Sequence, residues 1–179
     1  HLDTGSLYRA LGLQLLNTAE NIDLSDEKQI VNESAKLDLR LCSAPEIRTD
    51  KVANIASKVA AIPQVRANLL AVQREFAHHP PHGCGAVLDG RDIGSVVLPD
   101  APIKLFIDAD LETRADRRTK ELLRAGQSAM FRDVLADMRE RDQRDKNRAT
   151  APLQAAADAK LIDTSTLDAD AVFAVALDH

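Results

Sequence analysis

The sequence predicts an α/β protein with a mainly parallel sheet, because short apolar runs alternate with helical patterns and each run closes on an aspartate. The strand candidates are Gly85–Leu88 before Asp89-Gly90, Ile103–Ile107 before Asp108, and Leu161–Ile162 before Asp163. Each reads as a buried strand with a polar carboxyl end, the end at which open α/β sheets hold ligands.

The helices follow from spacing. Asp3 or Thr4 is placed to cap a helix carrying Leu7, Leu11 and Leu15 on one face. Thr49 opens a second, with Val52, Ile55, Val59 and Ile62 in phase until Pro63 interrupts it. Val65, Leu69, Val72 and Phe76 continue the pattern in a following helix, and the Pro- and Gly-containing stretch from His78 to Gly83 reads as a loop. Helical patterns then cover Leu111–Gly126 and Ala129–Asp145, with Gly126-Gln127-Ser128 as the turn between them, and Asp168–Leu177 reads as a closing helix.

With 179 residues, 45% of them apolar and 28% charged, one substantial core is expected. Trp is absent and Tyr occurs once, so Leu, Ile, Val and Ala must fill that core. The net charge of −5 argues against a protein that coats nucleic acid. Cys42 and Cys84 are too few for a disulfide framework and read as reduced thiols. No apolar run is long enough to span a bilayer and no signal-peptide pattern occurs, so a cytoplasmic protein without membrane association is expected.

Three motifs in order carry the chemistry. The first runs His1-Leu2-Asp3-Thr4-Gly5-Ser6-Leu7-Tyr8-Arg9. The second joins Ile47-Arg48-Thr49, Ser57, Ile62-Pro63 and Arg66 to Leu88-Asp89-Gly90-Arg91-Asp92-Ile93-Gly94. The third is Arg139 to Arg148, followed by Asp163-Thr164-Ser165. In the third, Arg141, Arg144 and Arg148 share one helical face, and Asp145 stands four residues after Arg141. Arginine suits phosphate because its planar fork stays charged and donates paired hydrogen bonds. The interleaved Glu140, Asp142 and Asp145 equally fit a solvated helix laced with ion pairs.

Asp89 at a strand end can hold Mg²⁺ directly or through water, with Arg91 beside it for a phosphate; an Asp-Gly turn is the plainer alternative. Asp3-Thr4 fits a simple helix cap as well. His78, His79, His82 and Cys84 are ligand types without zinc-finger spacing, and no metal is expected there.

Taken together, these motifs resemble the bacterial cytidylate kinase family from Leu2 to about Leu177. The resemblance implies a P-loop kinase-type parallel sheet flanked by helices, with a nucleoside-monophosphate-binding insert and a helical lid. Core segments would cover 1–21, 73–113 and 149–179, the insert 22–72 and the lid 114–148. It also implies a monomeric enzyme that passes the γ-phosphoryl group of ATP, with Mg²⁺, to CMP or dCMP. Carried over by motif, Arg9 would hold the CMP phosphate with Thr4 and Tyr8 nearby, and Ser57, Arg66 and Asp92 would face the cytosine. Asp89 belongs to the same substrate-facing set. Arg91 and Arg148 would neutralise phosphate, Arg141 and Asp145 would touch the sugar, and Arg117, Arg118 and Arg144 would close over the transferring group as catalytic lid arginines.

Two departures accompany the resemblance. The G-x-x-x-x-G-K-[ST] phosphate loop of the family has no counterpart here, so no ATP-holding residues are assigned. Cys42-Ser43-Ala44-Pro45 stands where a small strand region belongs. Without that loop, a CMP-binding protein lacking ATP turnover is the alternative. RNA binding by the arginine-rich helix is disfavoured by its acids and by the scarcity of aromatics. Asp92→Ala or Arg148→Ala is expected to lower turnover far more than stability.

Overall fold

The computed structural model describes residues 1–18, 26–83, 85–147, 151 and 153–178, in two compact units, His1–Ile93 and Gly94–His179. Arg148 and Cys84, both named above, lie outside the described residues.

The first unit begins with strand β1, Leu2–Asp3, which pairs in parallel with β2, Leu88–Asp89; Leu2 faces Leu88 and Asp3 faces Asp89. Helix α1, Thr4–Thr18, leaves β1 directly. As expected, Asp3 caps it: Ser6 donates its backbone N–H to Asp3 Oδ1 at 3.2 Å and its hydroxyl to the Asp3 carbonyl at 2.6 Å. Helix α2, Glu27–Ala35, is an element that periodicity did not suggest, and Asp26 caps it through the amides of Lys28 and Gln29. Two 3₁₀ turns, Leu39–Ser43 and Pro45–Arg48, occupy the stretch where the resemblance implied a small strand region. Pro45 has no N–H for a sheet ladder, and it opens the second turn instead.

Thr49 caps α3, Asp50–Val59, and Pro63 starts α4, Pro63–His78, at the first helical position, where proline's missing donor costs nothing. Leu7, Leu11 and Leu15 of α1 pack with Ile30, Ile55, Val59, Val65 and Leu69 into the core of this unit. Gly12 allows the backbones of α1 and α3 to close. A Cβ there would stand 3.2 Å from the Val52 carbonyl oxygen and 3.4 Å from the Ala56 nitrogen.

The expected strand Gly85–Leu88 is shifted: Gly85–Val87 is irregular and only Leu88–Asp89 is strand. β1 is itself two residues long, so the ladder offers nothing to Gly85 and Ala86, although the Val87 carbonyl accepts the Leu2 amide at 2.8 Å.

In the second unit, β3, Leu105–Asp108, pairs in parallel with β4, Lys160–Asp163, in the register Leu105 to Lys160 through Asp108 to Asp163. Both strands fall close to the apolar runs that predicted them, but they are not the buried strands expected: Ile107 and Leu161 are exposed, and of the eight strand residues Ile162 alone is buried. Asp110 caps α5, Leu111–Arg124, by accepting the Thr113 amide at 2.7 Å. The helix stops at Gly126, which takes a φ of 75° that disfavours any side chain, while Gln127 N–H returns to the Leu122 carbonyl at 3.0 Å. Helix α6, Phe131–Asn147, then packs against α5, and α7, Ala169–Leu177, is capped by Asp168.

Candidate functional site

In the first unit Thr4, Tyr8, Arg66, Asp89 and Asp92 are linked by contacts between α1, α4 and the segment from β2 onward. Thr4, 3% exposed, donates its hydroxyl to the Asp89 carbonyl at 2.8 Å, which ties the first motif to the Asp-Gly-Arg-Asp segment. Gly90 is required there, because a Cβ would fall inside contact with Thr4 Oγ1 and lie 2.8 Å from Ile93 Cδ1. Asp3 and Asp89 end the paired strands side by side. Burial, and then the charge of Asp3, push the Asp89 carboxyl above its ordinary range, and His1 Nε2 lies 2.6 Å from Asp89 Oδ1.

A buried ion pair joins Arg66 on α4 to Asp92. Arg66 Nη2 donates to Asp92 Oδ2, and the two side chains are 10% and 9% exposed. Arg66 Nη1 also donates to the Ala60 carbonyl at 3.3 Å, and its guanidinium carbon stands 5.7 Å from the centre of the Tyr8 ring. The arginine is therefore held from three sides by residues of α1, the α3–α4 connection and the loop after β2. Arg9 donates from Nη1 to the Ile47 carbonyl at 3.3 Å. Ser57 lies on α3 and is half-buried, as is Arg91 beside Asp92. The Arg66–Asp92 pair revises the expectation for Asp92→Ala, since a residue that neutralises a buried guanidinium carries stability as well as chemistry.

In the second unit the third motif lies on α6, with Arg141 and Arg144 half-buried and Asp145 7% exposed. Arg144 Nη2 stands 3.5 Å from Glu140 Oε1, and Arg118 on α5 pairs with Glu121 at 3.0 Å. Arg117, expected as a lid arginine, donates to the Thr164 hydroxyl at 3.1 Å, the Thr164 carbonyl at 2.6 Å and the Leu167 carbonyl at 3.1 Å. Its guanidinium is thus engaged with the loop after β4.

Sequence reasoning missed Arg114. It makes a forked pair with Asp142, Nη1 to Oδ1 at 3.2 Å and Nη2 to Oδ2 at 2.6 Å, while Nε donates to the Ala109 carbonyl at 2.9 Å. The nearby Asp142 carboxylate holds the Arg114 guanidinium above even its usual high range. No spacing rule pairs residues 28 apart, so only the folded hairpin shows it.

Among the described residues no group of three His, Cys, Asp or Glu side chains stands ready for a metal. Two neighbouring carboxylates, Asp3 and Asp89, fit Mg²⁺ nonetheless, since that ion takes one or two carboxylates and completes its shell with water and substrate phosphate.

The buried Arg66–Asp92 pair in the loop after β2 and, separately, the arginines spaced along α6 suit a protein that takes a phosphorylated ligand. The family profile described as cytidylate kinase matches residues 1–179, and the chain belongs to that family. It is 53% identical over 177 residues to the cytidylate kinase of Paramagnetospirillum magneticum, covering 99% of this chain and 83% of that protein. The cytidylate kinases of Rhodopseudomonas palustris and Rhodospirillum rubrum are each 48% identical across 99% of the chain, over 82% and 83% of their own lengths. No helix among the described residues is long and apolar enough to cross a membrane.

Proposed function

We propose that the chain transfers the γ-phosphoryl group of ATP to CMP or dCMP, giving the diphosphate, with Thr4, Tyr8, Arg9, Ser57, Arg66, Asp89, Arg91 and Asp92 receiving the monophosphate. Residues 22–72 serve as the insert and 114–148 as the lid of a P-loop kinase-type fold. The observation that carries the reading is the Arg66–Asp92 pair. A guanidinium fixed by a carboxylate, a carbonyl and a ring presents a donor and an acceptor in register, which suits the mixed edge of cytosine. A site organised before the ligand arrives discriminates by leaving its polar groups unmatched when the wrong base enters.

Phosphoryl transfer needs alignment and charge neutralisation rather than a covalent intermediate. Arg9, Arg91 and Arg148 are the residues that would neutralise phosphate charge, Arg141 and Asp145 would meet the sugar, and Arg118 and Arg144 would close over the transferring group. Arg117 is retained in that set through the loop it anchors. Asp3 and Asp89 are the carboxylates that would hold Mg²⁺, which supplies further neutralisation of the donor's phosphates. The enzyme acts as a cytoplasmic monomer without nucleic-acid or membrane partners.

A coupled assay of ADP release with ATP, Mg²⁺ and CMP tests the proposal. CMP-dependent turnover is expected, with UMP and AMP slower; CMP binding without turnover would overturn it.

A further inference from the structure

The α5–α6 hairpin contains an ionic fork that the proposed chemistry does not use. Asp142 lies on α6 one residue after Arg141, two before Arg144 and three before Asp145. At 100° of rotation per residue, fixing the direction of Asp142 fixes the direction of all three neighbours about the helix axis. Arg114 supplies that constraint from the first turn of α5, with side-chain exposures of 26% for Arg114 and 13% for Asp142. Its third nitrogen, Nε, is committed to the Ala109 carbonyl, immediately after β3, so the fork is referenced to the strand end as well as to α5. Two parallel charge-assisted bonds resist both sliding and rotation of the partner helix, which a single point charge such as lysine cannot do.

We infer that Arg114 and Asp142 are positioning residues that set the rotation of α6 and thereby aim Arg141, Arg144 and Asp145 at the ligand. Neither side chain touches substrate. The inference rests on the reading of those three residues as ligand-facing. The ion pairs Arg118–Glu121, Lys120–Asp116 and Arg144–Glu140 each lie within one helix, whereas the Arg114–Asp142 fork joins the two.

The test compares Asp142→Asn, Arg114→Ala, Asp142→Ala and the double alanine variant in the full chain. Two measurements are made, CMP turnover and amide hydrogen exchange across α5 and α6. Turnover is expected to fall on the order of 10²-fold in each, the size of effect produced by small misplacement of reacting groups. The double variant is expected to lose no more than either single alanine change, because both remove the same contact. Amides of α6 should exchange faster while those of α5 keep their protection. Unchanged turnover, additive losses, or equal loss of protection in both helices would overturn the inference. If the unaltered chain fails to phosphorylate CMP, the functional proposal falls. The exchange pattern then decides separately whether the fork orients α6.

Discussion

Removing the Asp92 carboxylate is the perturbation that most sharply divides packing from chemistry at this site. In Asp92→Ala the Arg66 guanidinium keeps the Ala60 carbonyl at 3.3 Å and the Tyr8 ring at 5.7 Å but loses the buried carboxylate paired with it. Breaking a buried pair from one side costs about 3–5 kcal/mol, and the surviving contacts place this case near the lower end, about 3 kcal/mol. With a urea m-value of about 2 kcal/mol/M, the unfolding midpoint should drop by about 1.5 M. Replacing both partners, Arg66→Met with Asp92→Leu, leaves no orphaned charge and should restore most of that midpoint while CMP turnover stays abolished. Urea unfolding followed by circular dichroism, beside the coupled assay, makes the comparison. An Asp92→Ala midpoint within about 0.3 M of the unaltered chain would refute the reasoning, because the pair would then contribute nothing to folding.

Gly90→Ala should destabilise by about 1–3 kcal/mol, since the added methyl meets Thr4 and Ile93, and a thermal melt reads the loss. Arg117→Ala should cost about 2 kcal/mol through its bonds to Thr164 and Leu167, whereas Arg118→Ala should stay within about 0.5 kcal/mol; unfolding curves separate the two. The fold raises the Asp89 carboxyl, so it favours the protonated form. The stability tied to that proton is present below the ordinary carboxylate range and is lost as pH rises through the higher folded value. Asp89→Asn should therefore be more stable than the unaltered chain at neutral pH and lose that advantage in acid, measured as melting temperature against pH. Asp168→Ala should cost about 1 kcal/mol by removing the cap on the Ala171 amide, again read by thermal melting.

What the sequence made legible follows from the range of the interactions involved. Thr49, Pro63, Asp3 and Gly126 act on amides a few residues away, so their caps and breaks were readable from spacing. Leu7, Leu11 and Leu15, four residues apart, likewise announced their buried face. Two-residue strands carry too little periodicity to be bounded, so no pattern marks β1 and the apolar run before β2 extends back to Gly85. The motifs identified which arginines belong together, but not what each one grips. That Arg117 holds carbonyls of the β4–α7 loop, or that Arg66 reaches Asp92 across 26 residues, is decided by tertiary geometry that no local pattern encodes.

The missing side chain at Gly12 bears on how this enzyme can move. With the backbones of α1 and α3 separated there by less than a methyl group's clearance, the two helices cannot slide past one another without collision. Tyr8 and Arg9 on one and Ser57 on the other are therefore carried by a single tightly packed helix pair.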